Sequence, residues 1–331
     1  MANYTTRLHQ QIINRKTPAL VGIDPRWDWL PREIQSAAET AGGCLHSRIA
    51  RGYERFSCEL LDIVAPHVAA VKPQVAFFEQ HGIPGLQALH AVMTYARKLG
   101  LIVIADAKRG DIGTTAEAYA EGWLAGEDPG AAAWPADALT INPYLGTDSL
   151  EPFVNIAAKR GAGLYVLVRT SNKGAAEFQD RVSEGRPMYE TVAQAVGHLS
   201  DGTRIDGDLY GCVGAVVGAT WPQQLRQLRD VMPSVPLLVP GYGTQGGTSA
   251  DAAAAFHENG LGAVVNSSRG INFAWRREPY ASTFGEGRWR EAVAESVHEM
   301  IRDLAANTPA GMLNNGRDMN PENAGGARTG I

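Results

Sequence analysis

Eight short apolar runs, most of them followed by a longer stretch with helical spacing, constrain the fold of this chain more than any other feature of its sequence. The runs fall at 19–23, 69–72, 101–106, 138–141, 163–169, 212–217, 235–239 and 262–266. Each is short, rich in β-branched or small residues and bounded by turn residues, the pattern of a buried strand. Between them, 53–64, 86–99, 115–124, 188–198, 222–230 and 250–259 repeat apolar residues at helical intervals. Strands alternating with helices imply right-handed βαβ units and a parallel sheet. Eight such units can close into an α/β fold of the (β/α)8 TIM-barrel type. An open doubly wound sheet usually has fewer strands and, where it binds a dinucleotide, a glycine fingerprint after its first strand. Here the first run leads into Asp24-Pro25, so the barrel is expected.

The 331 residues exceed a minimal barrel, and the surplus falls in definable places. A Trp- and Pro-containing insertion occupies 25–44 and a Gly/Ala/Pro loop 126–137. The expected organisation is one barrel domain over 1–307 and a flexible tail over 308–331, because that tail holds few large apolar residues to offset the entropy of ordering it. The 44% hydrophobic and 20% charged content suits a chain that buries a sizeable core. A net charge of -5 without a Lys/Arg cluster argues against nucleic acid as partner, though a small anion needs only one or two cations. Cys44, Cys58 and Cys212 have neither disulfide-framework nor zinc-site spacing, and the eight histidines form no HxH or HxxxH pair. No metal is expected, and a reducing cytoplasm suits the cysteines. Residues 1–16 lack a signal peptide's apolar core, and no run approaches the ~20 apolar residues of a membrane span.

In such barrels the reactive side chains sit at the C-terminal strand ends, where polar residues should interrupt the apolar pattern. Asp24, Lys72, Asp106, Lys108, Asn142, Arg169, Ser171 and Arg269 all fall there. In an extended strand residues i and i+2 point the same way, which sets Asp106 beside Lys108 at the mouth. Carboxylates flanking an ammonium favour its charged form, so the lysine can donate a proton. Spacing alone does not separate this arrangement from a solvated charge cluster. Further on, 239–247 is rich in glycine and precedes a strand ending in Asn266-Ser267-Ser268-Arg269. Loops after the last two strands of a barrel commonly hold phosphate, since glycine admits backbone N–H groups and Arg binds bidentately. Taken singly, such a loop is more often a plain turn and such an arginine a surface cation.

The string Asp106-Ala107-Lys108-Arg109-Gly110-Asp111-Ile112-Gly113-Thr114-Thr115 resembles the signature of the orotidine 5'-monophosphate decarboxylase family, in its longer-chain bacterial branch. The resemblance runs from about Ala19 to about Ile271. It implies that Asp24 holds a ribose hydroxyl. Lys72, Asp106, Lys108 and Asp111 then form an alternating Lys-Asp-Lys-Asp array, and Gln245 and Arg269 grip a phosphate. A serine after the fifth strand contacts the pyrimidine amide: Ser171 is the choice, Thr170 the alternative, and either can equally be a polar loop start capping the next helix. The resemblance further implies a homodimer in which Asp111, with Thr115 beside it, serves the neighbouring subunit's site.

The implied reaction converts orotidine 5'-monophosphate to uridine 5'-monophosphate and CO2 in pyrimidine biosynthesis, without metal or cofactor and with Lys108 as proton donor. A related branch of sugar-phosphate decarboxylases and hexulose-phosphate synthases uses Mg2+, held by a glutamate at the end of the second strand. This chain has Lys72 there, and a cation repels an oxygen-seeking divalent ion. A catalytically dead nucleotide-binding regulator on the same fold is the other alternative.

Overall fold

A computed structural model describes residues 3–205 and 207–314 of the chain. Among these, eight parallel strands close into a barrel: β1 (Ala19–Ile23), β2 (Ala70–Pro73), β3 (Ile102–Arg109), β4 (Ala138–Ile141), β5 (Gly163–Arg169), β6 (Val213–Val217), β7 (Leu237–Val239) and β8 (Ala263–Ser267). Each pairs with its neighbours in sequence, and β1 closes on β8 through Ala19 opposite Val265. All eight lie within a few residues of the runs expected from the sequence.

The strands are buried on both faces for two different reasons. Leu20, Ala70, Ile102, Ile104, Ala138, Tyr165, Val216, Leu238 and Val264 fill the barrel's interior together with Tyr4, Leu8 and Ile12. The alternate residues, Val21, Val71, Val103, Leu139 and Val166 among them, pack outward under the helices in a second cluster. Period-two alternation thus feeds two apolar layers, which is why the strands read as continuous apolar runs.

The plug of the inner cluster comes from a segment noted in the sequence only for lacking a signal peptide. Residues Tyr4–Arg15 form a helix whose Tyr4, Leu8 and Ile12 line one stripe. Tyr4 meets Tyr165 edge-to-face at 6.1 Å, sealing the N-terminal end of the barrel. The opposite, C-terminal end remains the open mouth.

Two other elements differ from expectation. The helix expected over 250–259 shrinks to Ser249–Ala252 and a 3-10 turn, Ala253–Ala255. It starts on a capping box between Thr248 and Asp251 and stops where Phe256 turns extended and buried. The tail expected from 308 instead begins with a 3-10 segment, Pro309–Asn314, whose Ala310 and Leu313 join the inner cluster. The rest of that tail lies outside the described residues. Long helices at Thr147–Arg160 and Trp289–Asn307 complete the outer layer. Among the described residues no helix is long and apolar enough to cross a membrane, and Cys44, Cys58 and Cys212 are free thiols.

Candidate active site

The mouth is built around Asp106. Its carboxylate accepts hydrogen bonds from Lys72 Nζ at 2.5 Å, Lys108 Nζ at 2.6 Å, Gln74 Nε2 at 2.9 Å and Thr140 Oγ1 at 3.0 Å. Burial disfavours the charged carboxylate, but the two ammoniums and their hydrogen bonds outweigh it and hold its pKa far below the ordinary range. Lys72 is also buried, which disfavours its charge, yet Asp106 and Asp24 raise its pKa above the usual lysine value. At the centre of the network the Lys72–Asp106 pair is therefore ionic at neutral pH. Access differs sharply within it: the side chains of Lys72 and Asp106 are 6% and 8% exposed, that of Lys108 45%. Lys108 is the member a ligand can reach.

The pairing of Asp106 with Lys108 comes about by a route that simple strand alternation does not describe. The β3–β4 register shifts between Ala105 and Arg109, and Lys108 lies in the left-handed region with φ of 50°. Such a backbone costs roughly 1 kcal/mol or more for a residue other than glycine. Thr140 fixes it by accepting the Lys108 backbone N–H at 2.9 Å while its own hydroxyl donates to Asp106. Thr140 and Gln74 were missed in the sequence because each reads as an ordinary residue on or just beyond a strand. Only strand order shows that they flank Asp106.

Asp24 ends β1. Burial raises its pKa, with Lys72 opposing, and its Oδ1 is buried without a hydrogen-bond partner. Such an acceptor is poised for a hydroxyl donor. Gly22 lets β1 approach β8 here: a Cβ would come within 1.9 Å of Ser268 Oγ. Asn272, just past β8, clamps the same junction by donating to the Gly22 carbonyl at 2.7 Å and accepting the Asp24 N–H at 2.9 Å.

The loops after β5, β7 and β8 meet across the mouth. Ser171 Oγ donates to Gln245 Oε1 at 2.8 Å. Thr170, the alternative, turns away: its hydroxyl pairs with Asn172 and Gln179. Arg169 is the pillar beneath, fully buried, bonded to Asp180 at 3.1 Å and stacked 4.1 Å from the Trp221 ring centre. Gln245 and Arg269 line one cleft with Asp24, Arg26 and Ser268, and among the described residues Arg269 has no acidic partner. In the glycine-rich loop the N–H groups of Gly243, Gly246 and Gly247 bond within the loop itself, so it is a folded turn. Tyr242 and Ser249, at its two ends, both bond to Asp303 of the C-terminal helix.

Two sequence candidates stand apart. Asp111 accepts only the Ile112 N–H at 2.8 Å and, among the described residues, pairs with no cation. Thr115 is exposed in the first turn of the helix Gly113–Trp123. Arg109, inside the same string, points outward to Glu79 and the rings of Tyr119 and Trp123. Ile112, next to Asp111 in the chain, and Tyr144 and Leu145 in the segment after β4 are all more than half exposed.

The chain resembles known proteins over most of its length. Residues 47–278 match the model of the orotidine 5'-phosphate decarboxylase / HUMPS family. A Rhodopirellula baltica protein named orotidine 5'-phosphate decarboxylase is 46% identical over 304 residues, covering 92% of this chain and 99% of its own. A Deinococcus radiodurans protein of the same name is 42% identical, covering 80% and 87%. The solved structure of Leishmania donovani OMP decarboxylase superposes with a TM-score of 0.69 at 28% identity, covering 92% of this chain and 98% of that one.

Proposed function

The chain belongs to the orotidine 5'-phosphate decarboxylase / HUMPS family, and we infer from that premise that it is the carboxy-lyase converting orotidine 5'-monophosphate to uridine 5'-monophosphate and CO2 in pyrimidine biosynthesis. The observation that carries this reading over the Mg2+-dependent branch is Lys72. Its ammonium is buried against Asp106 and electrostatically coupled to Asp24, so it already neutralises carboxylates that a divalent ion would need. A cytoplasmic location suits this biosynthetic role.

The pyrimidine carboxylate sits beside Asp106, and its departure leaves the C6–CO2 electron pair on C6. That carbanion has no carbonyl or imine sink, so the site must stabilise it electrostatically. Lys108, the accessible cation, does so and then transfers an Nζ proton to C6, to be reprotonated from solvent. Asp106 holds Lys108 in place, and Lys72 keeps Asp106 ionised. Enzymes remove ~8 to 23 kcal/mol from such barriers, and part of that is supplied remotely. Gln245 and Arg269 bind the phosphate, Asp24 a ribose hydroxyl and Ser171 the pyrimidine amide, and closure of the 240–249 loop over them converts phosphate affinity into ordering of the site. The test is an absorbance assay of orotidine 5'-monophosphate loss with excess chelator. Full activity is expected, and loss of activity on chelation with recovery on adding Mg2+ would overturn the assignment.

The working unit is a homodimer. Asp111, with no cation partner among the described residues, and the exposed apolar side chains of Ile112, Tyr144 and Leu145 are what is expected where an apolar face is covered by a second copy and a carboxylate reaches across. Thr115 lies beside it on the same face. Mixing inactive Lys108→Ala and Asp111→Ala subunits should then restore activity, because one of the two sites in a mixed dimer has both groups intact. No recovery after demonstrated subunit exchange would show that Asp111 serves its own subunit or none.

A further inference from the structure

The 25–44 insertion brings a second arginine to the cleft. Arg26 lines it with Gln245 and Arg269. Its guanidinium is held by ring faces, 4.8 Å from the Phe77 centre and 5.5 Å from that of Trp29. Among the described residues it makes neither a hydrogen bond nor an ion pair. A guanidinium positioned by aromatic rings keeps its N–H donors free for an anion.

The arm that carries Arg26 is braced at several points. Trp27 packs over Gly52, where a Cβ would come within 2.8 Å of its ring. The Trp27 N–H donates to the Tyr53 hydroxyl at 3.1 Å, and Gln35 donates to the Trp27 carbonyl at 2.7 Å. Trp29 stands edge-to-face on Phe273 at 5.2 Å, four residues beyond Arg269. The insertion is thereby docked both on the helix Leu45–Val64 and on the segment that bears Arg269.

Charge balance gives this placement a purpose. A phosphate monoester is close to a dianion at neutral pH, Gln245 is neutral, and Arg269 supplies one positive charge. Asp24 adds a carboxyl group to the same cleft. We propose that Arg26 is a second phosphate-binding cation, closing on the substrate's phosphate opposite Arg269, and that positioning it is the role of the 25–44 insertion. This rests on the decarboxylase reading above.

The test compares orotidine 5'-monophosphate with orotidine, which keeps the ribose and pyrimidine but lacks the phosphate, in wild type, Arg26→Gln and Arg26→Lys. Loss of one charged hydrogen-bonding group should lower kcat/KM of Arg26→Gln for the phosphorylated substrate by about 10- to 100-fold, with part of it regained in Arg26→Lys. The value for orotidine, measured at high enzyme concentration, should stay unchanged. An equal fall for both substrates would assign Arg26 to the ribose or to the scaffold, and no fall for either would leave it without a part in binding; both results overturn the proposal. Failure of the underlying reading looks different, because wild type would then not turn over orotidine 5'-monophosphate at all.

Discussion

Lys108→Ala should reduce kcat for orotidine 5'-monophosphate by about 10^4-fold or more, since on the proposed mechanism it removes at once the group that protonates C6 and the nearest charge opposing the carbanion, effects worth roughly 10^2 to 10^4 and 10^2 to 10^3 separately. The fold should survive. Lys108 is 45% exposed, and without it Asp106 still accepts bonds from Lys72, Gln74 and Thr140. Ala also relieves little of the backbone strain at φ of 50°, so the melting temperature should shift by only a few degrees in either direction. Binding of uridine 5'-monophosphate should weaken far less than kcat falls, because the proposed phosphate-binding residues Gln245 and Arg269 line a cleft whose walls do not include Lys108. Near wild-type turnover in this variant would remove Lys108 from the chemistry.

The barrel was legible because its strands are buried twice over. A strand facing a filled interior on one side and a helix layer on the other must be apolar throughout, and few other folds require eight such runs in succession. The helices were less legible. Tyr4–Arg15 has mostly polar residues, and only the positions of Tyr4, Leu8 and Ile12 against the barrel floor show that its narrow apolar stripe has a partner. The helix Thr147–Arg160 carries Pro152, which locally signals a break although packing of Leu150, Phe153 and Ala157 overrides it.

Within the site, the charged residues could be found from the sequence and their supports could not. Asp106 and Lys108 stand out as charges at the end of an apolar run. Gln74, Thr140 and Asn272 have no such contrast, and their importance comes from strand adjacency that spans 32, 34 and 250 residues of chain. The 25–44 insertion was visible as extra length, but its side of the mouth depends on Gly52 and Phe273, which lie on separate elements. Between Ser171 and Thr170 the sequence offered two equivalent hydroxyls. The difference is that Gln179 and Asn172 engage one and leave the other facing Gln245.

Asp106→Ala should be the most destabilising single change in the site. It strips the Lys72 ammonium of the one carboxylate it is hydrogen-bonded to among the described residues, in a place where 6% of that side chain meets solvent. Removing one partner of a buried pair costs about 3 to 5 kcal/mol, because the remaining charge must be buried unpaired or give up its proton. For a domain of this size that corresponds to a melting temperature lower by roughly 10 °C. Asp24 limits the loss, since it also favours the charged form of Lys72. The cause can be isolated with the double variant Lys72→Met, Asp106→Ala, which removes both members of the buried pair and should be more stable than Asp106→Ala alone. The pH dependence follows from the depressed pKa of Asp106. Its stabilisation is present above the unfolded carboxylate value of about 3.9 and fades as the pH falls through the lower folded value. The gap between wild type and Asp106→Ala, measured by denaturant unfolding, should therefore be wide at pH 7, begin to narrow only below about pH 4 and go on shrinking as the pH falls further. A gap that stayed constant with pH would mean that Asp106 contributes packing and neutral hydrogen bonds, with its charge compensated elsewhere.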